Sequence, residues 1–134
     1  MKAIHSRPAT VHRKSDAMAF KFEKLEVWQR AVELSFQVRT LTQAFPKEEV
    51  RILTSQMKRA ADSIALSIAE GSTGQTNAEF KQFIGYAIHS AIKVVTCLYL
   101  GRKRQLITAH SFQNLYADTE RIVMMRKALR KSFN

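Results

Sequence analysis

One cysteine, Cys97, is all the chain has, so no internal disulfide can form. It lies in an apolar stretch, which fits a packed thiol in a reducing cytoplasm. Two prolines and four glycines in 134 residues leave room for long uninterrupted helices. No segment alternates apolar and polar residues with the period of a strand, and no internal repeat occurs. The first seventeen residues lack the apolar core of a secretory signal. They are basic and contain Ser, as transit peptides do, but their apolar content is thin. His5, His12, His89 and His110 stand nowhere four apart, and no Cys or carboxylate cluster completes a metal set. The run Gly71–Gly74 lacks the Gly-Lys-Ser/Thr ending of a phosphate loop, and no strand precedes it. No cofactor motif remains, and no nucleophile is spaced to work with a base, so the sequence reads as that of a non-enzyme.

What is present is helical periodicity. Val27, Ala31, Leu34, Val38, Leu41 and Phe45 recur every three or four residues, the seam of a bundle helix from about Phe22 to Ala44. Phe45-Pro46 ends it, because the residue before a proline is pushed out of the helical region. A second helix opens near Lys47 and carries Val50, Leu53, Met57, Ala60 or Ala61, Ile64 and Ile68 to Gly71, where a left-handed glycine can close it. Between its large residues sit Ala61, Ser63, Ala65, Ser67 and Ala69, small enough for neighbouring backbones to come close. A third helix starts at Thr76, with Glu79 completing a capping box, and runs to Gly101. A fourth spans about Thr108 to Phe133, with Phe112, Leu115, Thr119, Ile122, Leu129 and Phe133 inward. Short connections make neighbours antiparallel. The expected fold is all-α, an antiparallel up-down-up-down four-helix bundle over residues 18–134, preceded by a disordered basic tail over 1–17. Phe83 to Leu100 is apolar enough to raise a membrane span, but His89 and Lys93 interrupt it, and a helix buried on two sides explains it without a membrane.

The net charge is +11, unevenly placed. Residues 1–21 carry five Lys/Arg and one acid, 22–98 nine and eight, and 99–134 eight and two. Such asymmetry points to an anionic partner, with simple solubility as the alternative. Arg126 and Arg130, like Lys127 and Lys131, stand one helical turn apart and form a band at the end of the fourth helix. Arg13, Lys14 and Lys21 should join them at one pole. Arg102, Lys103 and Arg104 should lie at the other, with Lys47. These ten arginines and lysines, Lys47 aside, are the candidate nucleic-acid contacts. They would grip phosphates and read no bases, as nothing resembles a base-reading element. Trp28, Phe36, Tyr86 and Tyr99 could stack on bases, but at helical spacing they read better as core or interface. His89 reads as a packed or interface histidine. Asp62, three and four residues from Arg59 and Lys58, reads as half of a solvated helix pair. Glu70 reads as an ion-pair partner for Arg59 or Lys58 of a neighbouring protomer.

From Phe22 onward the chain resembles a bacterial family, the four-helix bundle proteins of 23S ribosomal RNA intervening sequences. Accessory proteins of diversity-generating retroelements are related to these. The resemblance rests on F-E-K-L-E-V-W-Q-R-A (Phe22 to Ala31), F-P-K-E-E (Phe45 to Glu49) and L-T-S-Q-M-K-R-A-A-D-S-I (Leu53 to Ile64). I-A-E-G (Ile68 to Gly71) and E-F-K-Q-F-I-G-Y-A (Glu79 to Ala87) complete it. The chain departs from the family pattern at Ala65 (usually Pro), at Ser67 (usually Asn) and at His89-Ser90 and Lys93 (commonly Gly-Ser, then Glu). The resemblance implies a protomer that assembles as a ring, often a pentamer, with nucleic acid as ligand and no enzymatic activity. It leaves open a scaffold role, for example as partner of a reverse transcriptase. Assembly is also expected from the residues themselves. Besides its seam, the first helix carries Leu25, Trp28, Val32 and Phe36, and the third carries Ile88, Ile92, Val95 and Tyr99. A lone bundle needs one apolar face per helix, so the surplus rows should be buried between copies. Nothing in residues 1–17 can join a core. A chain starting at Met18 should therefore keep its melting temperature by circular dichroism, and a loss of several degrees would mean that the tail is docked.

Overall fold

The computed structural model describes residues 19–74, 76–125 and 129, with the side chains of 49 and 50 outside that description. The tail assigned to residues 1–17 lies outside it too. The described residues form a 3₁₀ turn at Lys21–Lys24 and four helices, with no strand: α1 (Glu26–Thr42), α2 (Lys47–Ser72), α3 (Asn77–Lys103) and α4 (Ala109–Met124). Each helix packs on its neighbours in sequence, and α4 closes the bundle against α1. Trp28 shares a groove with Ala69 while Thr42 shares one with Ser55, so the start of α1 meets the end of α2. Ile84 likewise lies with Leu129, and Tyr99 with Phe112. This register is compatible with antiparallel neighbours throughout.

The seams read from the sequence form the core. Val27, Ala31, Leu34 and Val38 of α1 meet Leu53, Met57, Ala61, Ile64 and Ile68 of α2, and Ile84, Val94 and Leu98 of α3 face Leu115 and Ile122 of α4; all are buried. The capping box at α3 is formed. Thr76 Oγ1 accepts from the Glu79 amide at 3.1 Å, and Glu79 Oε1 accepts from the Thr76 amide at 3.2 Å. Thr108 caps α4 in the same way, accepting from the Ser111 amide at 3.1 Å. The end of α4 expected near Phe133 lies outside the described residues, though Leu129 is buried. By length and composition α3 could cross a bilayer. Its inner side is packed on α2 and α4, and Lys81, His89 and Lys93 are exposed on its outer side.

The structure corrects several local expectations. α1 begins at Glu26, not Phe22. The Phe20 amide donates to Glu23 Oε1 at 2.9 Å, which closes a separate turn, and Phe22 packs edge-on against Trp28 with ring centroids 4.8 Å apart. Leu25 is extended between turn and helix. Neither Gly71 nor Gly101 is a left-handed stop, because no described glycine has positive φ and both lie inside helices. Their role is close approach. A Cβ on Gly71 would stand 2.7 Å from Phe83 Cβ, and one on Gly101 would collide with the Ile107 side chain. The left-handed position falls instead on Gln105, with φ of 62°. The Leu106 amide donates to Gly101 O at 2.8 Å and the Gln105 amide to Arg102 O at 3.0 Å. These two bonds are the Schellman closure of α3, with glutamine where glycine usually sits. His89 is exposed in the protomer, which removes the packed reading and leaves the interface one open to assembly. Cys97 is buried, and burial pushes its thiol pKa up against the opposing pull of Arg104.

Two glycines of one helix pair should therefore respond with opposite signs. Gly85 has no atom within 4 Å of an added Cβ, so Gly85→Ala should gain up to about 1 kcal/mol of helix propensity. Gly71→Ala makes the same local gain but forces α2 from α3, at a cost of about 1–3 kcal/mol. Urea denaturation of both variants checks this, with Gly71→Ala expected to have the lower midpoint.

Candidate nucleic-acid interface

Of the sequence-predicted contacts, Arg13, Lys14, Arg126, Lys127, Arg130 and Lys131 lie outside the described residues. Lys21 is exposed in the 3₁₀ turn, beside the end of α2, while Arg102, Lys103 and Arg104 are exposed at the end of α3. The two described groups thus occupy opposite ends of the bundle and are not brought together. Arg102 Nη1 donates to Ile107 O at 3.3 Å, which ties it to the α3–α4 turn.

The described residues gather a larger set of cations elsewhere. Where the end of α1 meets the first half of α2, a groove of about 900 Å³ is lined by Arg39, Lys47, Arg51, Lys58 and Arg59. Thr54 and Ser55 add hydroxyls, and Thr42 and Phe45 form its buried floor. The row Lys47, Arg51, Ser55, Arg59 follows from helical spacing, one residue per turn on one side of α2. Two acids share the lining, Glu48 and Asp62. Among the described residues, no ion pair engages Lys47, Arg51, Lys58 or Arg59.

Asp62 does not pair with Lys58 or Arg59 on its own helix, as its spacing suggests. It turns across to α1, where Arg39 Nη2 stands 3.2 Å from Asp62 Oδ2 and the Ser35 hydroxyl donates to Oδ1. The cross-helix carboxylate wins because two donors converge on it from α1, whereas a pair along α2 would be worth only about 0.2–0.5 kcal/mol. Both ion-pair partners are half-exposed, so this pair itself adds at most about 1 kcal/mol. A running charge count misses the basic groove. Its cations sit in a segment whose total is nearly neutral, but whose acids Glu26, Glu33, Glu70 and Glu79 lie elsewhere in the fold. The four-residue row on α2 is the sequence signal that could have found it.

Past Asp62 a second groove between α1 and α2 is apolar. Phe22, Trp28, Val32, Ala65, Leu66 and Ala69 line it, and its volume is about 430 Å³. Trp28 is half-buried there. Of the surplus rows, Val32 is 42%, Phe36 64%, Ile92 56% and Tyr99 55% exposed, while Leu25, Trp28 and Ile88 are partly buried against the protomer's own core. Tyr99 packs edge-on against Phe112 at 5.0 Å and approaches Tyr116 at 6.4 Å. Among the described residues, no three His, Cys, Asp or Glu side chains stand together as a metal set would. The chemistry on offer is the holding of anions by cations and hydroxyls, with apolar surface alongside.

The fold is shared with a solved protein. A crystal structure of a protein with unknown function from the S23 ribosomal protein family of Bacteroides thetaiotaomicron superposes with a TM-score of 0.72 at 20% identity. The match covers 78% of this chain and 98% of that one, and at this identity it speaks for the fold alone. No curated protein matches the chain. The family model of the 23S rRNA-intervening sequence protein matches residues 23–128, a span that opens in the first turn and takes in all four helices. Bundle, motifs and matched span agree, and the chain belongs to the 23S rRNA-intervening sequence protein family.

Proposed function

We propose that the protein is a non-enzymatic, oligomeric accessory protein that holds RNA, or an RNA–DNA intermediate, by its phosphates. The observation that carries this reading is the α1–α2 groove, where Lys47, Arg51, Lys58 and Arg59 stand without an ion pair among the described residues while Arg39 is taken by Asp62. A strand of phosphates entering it meets Lys47, Arg51 and Arg59 in succession, and the hydroxyls of Thr54 and Ser55 between them. Binding should be tight at low salt and indifferent to sequence, because phosphate contacts position a strand without reading it. Family membership is compatible with an RNA-related role, and the family's description names no reaction.

Assembly strengthens the same reading. The exposed rows on α1 and α3 supply apolar surface for contacts between copies, and a ring repeats every basic groove around one axis. Five copies, the number the family resemblance implies, would carry about +55 together. The same apolar surface favours a second reading, in which the protein is a scaffold for a partner such as a reverse transcriptase and its charge is incidental.

Two measurements separate these. Light scattering at micromolar concentration should show an oligomer, and a monomer would end the ring. Fluorescence anisotropy with a labelled RNA should show log affinity falling with log salt, each phosphate contact adding roughly 0.7–0.9 to the slope. Changing Arg51 and Lys58 to Glu should flatten that slope without unfolding the bundle. Changing Lys103 and Arg104 to Glu tests the end of α3 in the same way. If neither pair alters retention of RNA at ~50 mM salt, the scaffold reading takes over.

A further inference from the structure

Two grooves of different character lie between α1 and α2, and Asp62 lines both. On one side of it run Lys47, Arg51, Lys58 and Arg59. On the other lie Trp28, Val32 and Leu66. Resting on the phosphate-binding reading above, we infer that Asp62 sets the length of the phosphate track. Its carboxylate neutralises Arg39 and turns away the next phosphate of a strand lying along α2.

The argument begins with Arg39. Among the described residues, it is the one cation that α1 gives to the basic groove, and it faces the α2 row across it. Its guanidinium is already engaged by Asp62 Oδ2 at 3.2 Å. The second carboxylate oxygen accepts from Ser35, so both oxygens are held by α1. Without the Ser35 bond, Asp62 could swing to Lys58 or Arg59 on its own helix, which its spacing allows. Ser35 therefore acts as a positioning residue. It keeps a negative charge at the residue that both grooves share. From Lys47 to Arg59 the α2 row runs about 18 Å at the helical rise. A phosphodiester beyond Arg59 would meet a carboxylate first and an occupied guanidinium second. Past that point no cation lines the second groove among the described residues.

The carboxylate is thus a stop, and removing its charge should open the track by one contact. Asp62→Asn keeps an oxygen to accept from Ser35 but frees Arg39. With a labelled oligo-uridine twelve-mer as probe, anisotropy titrations over a range of salt read the slope of log affinity against log salt. Asp62→Asn should steepen it by about 0.7–0.9, one phosphate contact. Arg39→Gln alone should leave the wild-type slope in place, and the double variant Arg39→Gln/Asp62→Asn should return to it. Circular dichroism confirms that each variant is folded, and the Arg39→Gln arm tests the idea with Asp62 untouched. The inference is overturned if Asp62→Asn leaves the slope unchanged. It is equally overturned if Arg39→Gln alone flattens the slope, since Arg39 would then already hold a phosphate. Wild-type protein that shows no salt-dependent binding at all would instead defeat the phosphate-binding reading, and this inference with it.

Discussion

The close approach of α2 and α3 is the constraint from which the rest of the bundle takes its shape. Gly71 leaves no room for a Cβ beside Phe83, and Ser63 and Ser90 join across the same interface by a 2.9 Å hydroxyl bond. Ala60, Ala61, Ala87 and Ala91 are buried in the same two helices. Small side chains give up some buried apolar area per residue. They recover it by bringing two long helices close enough for their backbones and larger residues to pack densely. A 26-residue and a 27-residue helix are held closely together this way. α1 and α4 then dock on the two sides of this pair and meet each other.

This arrangement explains which parts of the fold were legible in the sequence. A seam residue is written as a period, and every described seam residue of α2 from Leu53 to Ile68 is buried. The Thr76–Glu79 cap is written as a spacing and forms as read. The glycines are ambiguous because two physical causes select the same residue. Glycine suits a left-handed turn, and it also suits a close helix contact. Only the packing partner distinguishes them, and Phe83 and Ile107 lie on the next helix or in the turn beyond. Glu23 is ambiguous for a similar reason. Its carboxylate closes a local turn on Phe20, and helical periodicity cannot signal that competition.

The candidate site was legible only in part. Cations at chain ends stand out in a running charge count. Cations on one side of α2 are hidden there by acids that the fold carries to other faces. Asp62 shows the same limit in a single residue. Its intrahelical neighbours Lys58 and Arg59 are visible in the sequence, but Ser35 and Arg39 lie 27 and 23 residues away along the chain. A charge acquires its partner from topology as much as from spacing.

Helix stability helps to decide which cations still need an explanation. Arg102 and Lys103 sit in the last turn of α3, where the helix dipole favours positive charge, and Arg102 also holds a carbonyl of the following turn. Their presence follows from the fold alone. Lys47 is the first residue of α2, at the end where the dipole disfavours a cation. Arg51 is one turn further on, and like charges at that spacing repel by a few tenths of a kcal/mol, roughly 0.2–0.5. Asp62, the acid best spaced to relieve Lys58 and Arg59, is turned across the groove to Arg39 instead. The row along α2 therefore opposes the local preferences of the helix that bears it. Its cations are the ones that folding does not account for, and an anion lying in the groove would turn that local disadvantage into binding.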